Sequence, residues 1–303
     1  MGVPVDANEL IVGVDFAGPR RAVDQRRKII AIGAARIAPS VYHVMPDGFN
    51  DRLTQGSDLP GWTGEELARA LRGGHLARVV AFDFPFSIPQ RLLDDPGFTA
   101  AVGLDQPFEA WASFNQFVAT ALPLGCPIDL SPFAGWRNKA YWLKRATDVP
   151  ARAQPPLKDR FQVLFNMTLL GNALLAALAT DDAYRIIPFQ DPGLPPEVIE
   201  VYPGVAMRNL GRPDYKRDPA RAIDAILDHC AVQGVRFDVA PAIRSFCETY
   251  NTAGRGSFDP DGSDALIALA VAVLYREGQC QAVGRTGQQE QLRGEGVIWA
   301  PTI

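Results

Sequence analysis

Cysteine and histidine are scarce in this chain, with four of the first and three of the second in 303 residues. Cys126, Cys230, Cys247 and Cys280 are far apart, and no CxxC pair or Cys/His ligand spacing occurs. That excludes a zinc ribbon or a disulfide scaffold and leaves free thiols in a reducing compartment as the expectation. His43, His75 and His229 stand alone, so a Ser-His-Asp arrangement has no signal. Basic charge is not in excess: 30 Lys and Arg against 34 Asp and Glu leave a net charge of −4. Binding of nucleic acid by bulk charge is thereby excluded, and any such contact must use a local patch or metal ions. The run "ALIALAVAVLY" is too short to cross a bilayer. The opening "MGVPVDANEL" has no basic-then-apolar leader pattern, and a cytoplasmic protein is expected. Neither a repeat, a long low-complexity tract nor a GxxxxGK[ST] phosphate loop is found.

What is present is an ordinary globular composition, 47% hydrophobic and 21% charged, on a chain long enough to bury a sizeable core. An apolar run over 9–14 reads as a first strand. "KIIAIGAARI" (28–37) and "SVYHVM" (40–45), split by Pro39, read as two more in an antiparallel meander. "TGEELARALRG" (63–73) has helical periodicity, with Thr63 and Glu66 as a capping box. "LARVVAFDFPF" (76–86) is a further buried strand, so the opening runs β-β-β-α-β. Helices are predicted over 108–122, 159–180, 218–234 (Asp218 as N-cap, Pro219 in the first turn), 239–250 and 261–278. Strands are predicted over 183–189, 197–203 and 296–301. The polar stretch 284–296 reads as an exposed loop. The expected architecture is α/β, one domain over 1–303 in which a mixed sheet is flanked by helices, with a helical, proline-rich insertion at about 105–160.

Four acids share an odd context. Asp15 ends the first strand, Asp83 ends "VVAFD", Glu200 sits inside "VIEVYP", and Asp264 opens the apolar helix "DALIALAVAV". Each has a plain explanation: a turn acid for Asp15 and Asp83, an edge strand for Glu200, a first-turn acid favoured by the helix dipole for Asp264. Together they say more. A lone buried carboxylate is costly, and several converging would repel one another unless a cation lies between them. Hard oxygen donors suit Mg²⁺ or Mn²⁺. Asp261 lies three residues before Asp264 and joins the candidates, with Ser263 as the expected N-cap.

The order of these features resembles the ribonuclease H-like fold. More narrowly, the chain resembles the DUF429 family of predicted ribonuclease H-like nucleases. The likeness is carried by "VGVDFAG", "VVAFDFPFSIP", "IEVYPGVAMRNLG..YK" and "SDALIALAVA", and by the central "RATDVPARAQPPL". The chain departs from the pattern at "DFAG", where many relatives have a small residue after the acid, and at "WRNKAYW", which has no counterpart. The resemblance implies a metal-dependent nuclease acting on nucleic acid. Asp15, Asp83, Glu200 and Asp264 would be catalytic and would hold two Mg²⁺ or Mn²⁺ ions, with Asp15 bridging them.

Basic groups would then have to hold phosphate. Arg137, Lys139, Lys144, Arg145 and Arg152 are candidates, interleaved with Trp136, Tyr141 and Trp142, aromatics able to stack on unpaired bases; Tyr202 and Lys216 lie beside the Glu200 motif. The plainer reading is a solvated helix face with an amphipathic aromatic side. Two other functions compete: an actin-like or sugar-kinase-type enzyme using ATP or phosphate, and an inactive binding protein that keeps the fold.

Overall fold

The computed structural model describes residues 9–46, 48–73, 77–160, 164–190, 196–250, 261–284 and 289–302. His75 and residues 285–288 of the tract at 284–296 fall outside them. The strands are β1 (Glu9–Phe16), β2 (Ile29–Ala38), β3 (Val41–Val44), β4 (Val79–Asp83), β5 (Arg185–Ile186), β6 (Glu197–Val201), β7 (Arg236–Val239), β8 (Cys280–Ala282) and β9 (Ile298–Pro301). They form one mixed sheet in the order β7-β3-β2-β1-β4-β6-β9-β8, with β5 beside β6. β1, β2 and β3 make the expected antiparallel meander, and β4 and β6 add parallel to β1.

The principal helices are α1 (Ala22–Lys28), α2 (Gly64–Gly73), α3 (Trp111–Ala121), α4 (Leu164–Ala179), α5 (Pro203–Asn209), α6 (Pro219–Val232), α7 (Pro241–Thr249), α8 (Asp261–Arg276) and α9 (Gln289–Glu295). Two of them start where the sequence says. At α2, the Glu66 amide donates to Thr63 Oγ1 (3.1 Å) and the Thr63 amide to Glu66 Oε2 (3.0 Å), closing the capping box. At α6, the Arg221 amide donates to Asp218 Oδ1 (3.2 Å).

Side chains on a strand alternate between faces, and the two faces here bury different partners. Val12, Val14, Phe16, Val80, Phe82 and Val198 point to the side of α2, α3 and α4. Ile11, Val79, Ala81, Ile199 and Val201 point to the side of α6, α7 and α8. The central helix of that second side is α8, buried all round from Asp261 to Leu274. It lies directly on β1, because Gly13 has no side chain: a Cβ there would stand 2.0 Å from the Leu269 nitrogen and 2.7 Å from the Ala265 carbonyl. The first side takes up residues 105–160, whose Phe108, Trp111, Phe114, Val118, Phe133 and Trp136 join the core of β1 and β4.

Several expectations are corrected. Part of the stretch read as an exposed loop is helix α9, with Leu292 and Glu295 buried. The strand expected over 183–189 shrinks to two residues. Helix α8 begins at Asp261, so Ser263 lies within its first turn and is not its cap. Helices α1 and α5 and strands β7 and β8 went unread; each is short, and α5 starts at Pro203 directly after strand sequence. All four cysteines are free. The segment Leu164–Asp182 is long and apolar enough to cross a membrane by length and composition alone. Here it packs under the sheet, with Phe165, Leu169, Leu174, Leu175 and Leu178 fully buried.

Candidate metal centre

Parallel pairing places Asp15 directly beside Asp83, at the carboxyl ends of β1 and β4. Ile11, Gly13 and Asp15 share one face, as do Val79, Ala81 and Asp83, and this is the face that carries α8. The close approach at Gly13 brings the first turn of α8 over the strand ends and supplies Asp264. One carboxylate oxygen from each of Asp15, Asp83 and Asp264 then lies within 4.8 Å of the others. Asp15 and Asp264 are buried, and Asp83 is half-buried. The helix N-terminus favours the negative charge of Asp264.

The donor set is hard and all-oxygen, which fits Mg²⁺ or Mn²⁺. Two oxygens on one Mg²⁺ lie at most about 4.2 Å apart, given bonds of about 2.0–2.1 Å. The three carboxylates, within 4.8 Å of one another, stand somewhat wider than one ion requires, and small side-chain rotations would bring them onto it.

The segment after β6 forms the wall of this centre. Lys216 Nζ lies 3.1 Å from Asp264 Oδ2. The Tyr215 hydroxyl sits against Asp264; burial, and then the Asp264 and Asp83 carboxylates, push its pKa well up. Burial and the charge of Asp83 raise Tyr202 in the same way, and Arg208 stands over its ring, 5.5 Å from the centroid. The sequence places Tyr202 and Lys216 beside the Glu200 motif as phosphate candidates; they stand at Asp83 and Asp264. Tyr215 and Arg208 were missed, although both fall inside the quoted "IEVYPGVAMRNLG..YK" motif.

Glu200 is not brought to the three aspartates. β6 pairs with β4 so that Glu200 stands beside Phe82, and its side chain leaves the sheet on the opposite face. Val201 takes the face on which an acid would have met Asp83. Glu200 instead accepts two hydrogen bonds from Arg145, Nη2 to Oε1 at 2.5 Å and Nη1 to Oε2 at 2.7 Å, and one from the Phe86 amide at 3.0 Å. Arg145 also binds Asp148 (Nη2 to Oδ1, 2.7 Å), and all three side chains are almost wholly buried. Burial raises the pKa of Glu200 while Arg145 opposes the shift. Asp261 is buried at the start of α8, within electrostatic reach of Tyr250, and is not among the three converging acids.

The basic-aromatic stretch is mostly scaffold. Arg145 is sealed in its ion pairs, and Trp136 is fully buried, stacked on Phe98 at 4.4 Å. Arg137 lies over the Phe165 ring and 3.8 Å from Asp159. Lys139, Lys144 and Arg152 are exposed, and Tyr141 packs edge-on against Phe98. A cavity of about 300 Å³ behind the end of β1, floored by Phe16, Leu122, Leu124 and Leu170, includes none of the three aspartates.

No family model, curated protein or solved structure matches this chain. The three aspartates and their wall are therefore read on their own chemistry.

Proposed function

We propose that the protein is a divalent-metal-dependent nuclease of ribonuclease H-like fold, a phosphodiester hydrolase acting on nucleic acid. One observation carries the reading: three aspartates from two adjacent parallel strands and one helix converge within 4.8 Å at the carboxyl edge of the sheet. That edge is where open α/β sheets bind their ligands. The meander with parallel additions also agrees with the fold that the sequence resemblance implies. Asp15, Asp83 and Asp264 would hold Mg²⁺ or Mn²⁺. When bound, such a cation activates water and offsets charge on the leaving oxygen.

The chain's own residues supply the rest. Asp15 and Asp83, fixed by their strand register, hold two donors in place without loop motion. Asp264 is held by Tyr215 and Lys216. Tyr202 and Lys216 stand beside the aspartates, donors suited to a phosphate or a base. Arg208 lies over the Tyr202 ring and donates to the Ala151 carbonyl, which holds that wall in place.

Asp15→Asn should abolish Mn²⁺-dependent cleavage across a panel of single- and double-stranded DNA and RNA, with the circular dichroism spectrum unchanged. If the wild-type protein cleaves none of these with Mg²⁺ or Mn²⁺, the nuclease reading fails.

A further inference from the structure

Lys216 pairs with a member of the aspartate cluster: its Nζ lies 3.1 Å from Asp264 Oδ2, and its side chain is 40% exposed. Asp264 beside it is only 4% exposed. One end of this ion pair is thus buried, and the other is partly open to solvent. Two partners of Asp264 among the described residues differ in kind. Tyr215 is 7% exposed and built into the wall. Lys216 is a charged group on a flexible four-carbon stem, able to swing away.

A lysine on a ligand carboxylate competes with any cation that the carboxylate would bind. A divalent ion brings twice the charge to three carboxylates at once, and the ammonium is then repelled by it. At a short turn, Tyr215–Arg217, the released side chain remains at the mouth of the site, where an anionic substrate must approach.

We propose that Lys216 is a displaceable counter-ion, resting on Asp264 until a divalent cation enters and then turning to bind the phosphate of the nucleic acid substrate. The proposal rests on the reading of the three aspartates as a metal centre. It assigns Lys216 two roles with opposite consequences for binding. Tyr215 keeps Asp264 aimed throughout and is a positioning residue.

The test is calorimetric titration of Mn²⁺ into wild type, Lys216→Met and Lys216→Gln, followed by titration of a dinucleotide phosphodiester into the Mn²⁺-loaded proteins at fixed salt. Removing the lysine should tighten Mn²⁺ binding about tenfold and weaken dinucleotide binding about tenfold. Damage to the site would weaken both, so the opposed signs report the mechanism. Equal or weaker Mn²⁺ binding by both folded variants, or unchanged dinucleotide binding, overturns the proposal and leaves the metal centre standing. No Mn²⁺ binding by any of the three proteins overturns the metal centre itself, and this proposal with it.

Discussion

A carboxylate in the core needs a partner, and the acids of this chain answer that need in two ways. Asp15, Asp83 and Asp264 meet one another beside Tyr215 and Lys216. Glu200 meets Arg145, with a bidentate fork on one side and the Phe86 amide on the other. These chemistries part under mutation. Glu200→Gln leaves Arg145 underneutralised in a dry site, where breaking a pair costs about 3–5 kcal/mol. Denaturant unfolding should show that loss, while Mn²⁺ affinity at the aspartates stays within about twofold of wild type. A Glu200→Gln protein that folds normally but binds no Mn²⁺ would return Glu200 to the metal centre. In the sequence the four acids look alike, each a charge against apolar residues. What separates them is the parity of one strand, and parity depends on which residue of β6 stands beside Phe82.

At the scale of elements, Gly13 sets how closely α8 lies on β1. An added methyl would meet the backbone of α8, which cannot rotate away. Gly13→Ala should therefore lower stability by about 3 kcal/mol, at the upper end of overpacking costs. By lifting the first turn of α8 it should also weaken Mn²⁺ binding. Normal stability with normal Mn²⁺ affinity would contradict this account of the helix position. The start of α2 gives a prediction in pH. Hydrogen bonding to Arg26, helped by the Thr63 amide, holds Glu66 at about 2 against an ordinary 4.5. A depressed carboxylate stabilises the fold above its unfolded pKa, and the gain is lost as pH falls through the folded value. Glu66→Gln keeps an acceptor for the Thr63 amide and removes only the charge. Because Arg26 is partly exposed, the deficit at pH 7 should be about 1 kcal/mol, fading between pH 4.5 and pH 2. A deficit that persists undiminished at pH 2 would mean the charge is not its source. The capping box was legible in the sequence because Thr63 and Glu66 lie three residues apart; the Arg26 partner, 40 residues away, was not.

For the molecule as a whole, the two faces of the sheet divide the labour. One face carries α2, α3, α4 and the 105–160 insertion and buries most of the aromatic residues. The other carries α8, which is pinned at both ends. Its first turn reaches the aspartates, while its last residue, Arg276, and Glu277 just beyond it bind Glu9 in β1, Ser40 in the turn between β2 and β3, and Tyr42 in β3. Metal at the first end should therefore stabilise the entire fold. At a Mn²⁺ concentration of 100 times the Kd the gain is about 2.7 kcal/mol, visible as a rise of several degrees in Tm. Asp264→Asn should lose that rise while keeping the metal-free Tm close to wild type. A rise that survives in Asp264→Asn would place the ion elsewhere.

The sequence by itself determined the meander, the caps of α2 and α6, the burial of α8, and three of the acids that the sheet brings together. These follow from local rules: the alternation of a strand, the reach of a cap, and the placement of a charge at the end of an apolar run. Tertiary structure alone decided that Glu200 faces away from the other acids, that Arg145 is its counter-ion and not a phosphate ligand, and that Tyr215 and Lys216 close on Asp264. Each of those outcomes depends on the register of strands distant in sequence or on a contact across 48 or more residues. A one-residue change in pairing would have sent Glu200 to the other face, and nothing within the local stretch "VIEVYP" encodes that choice.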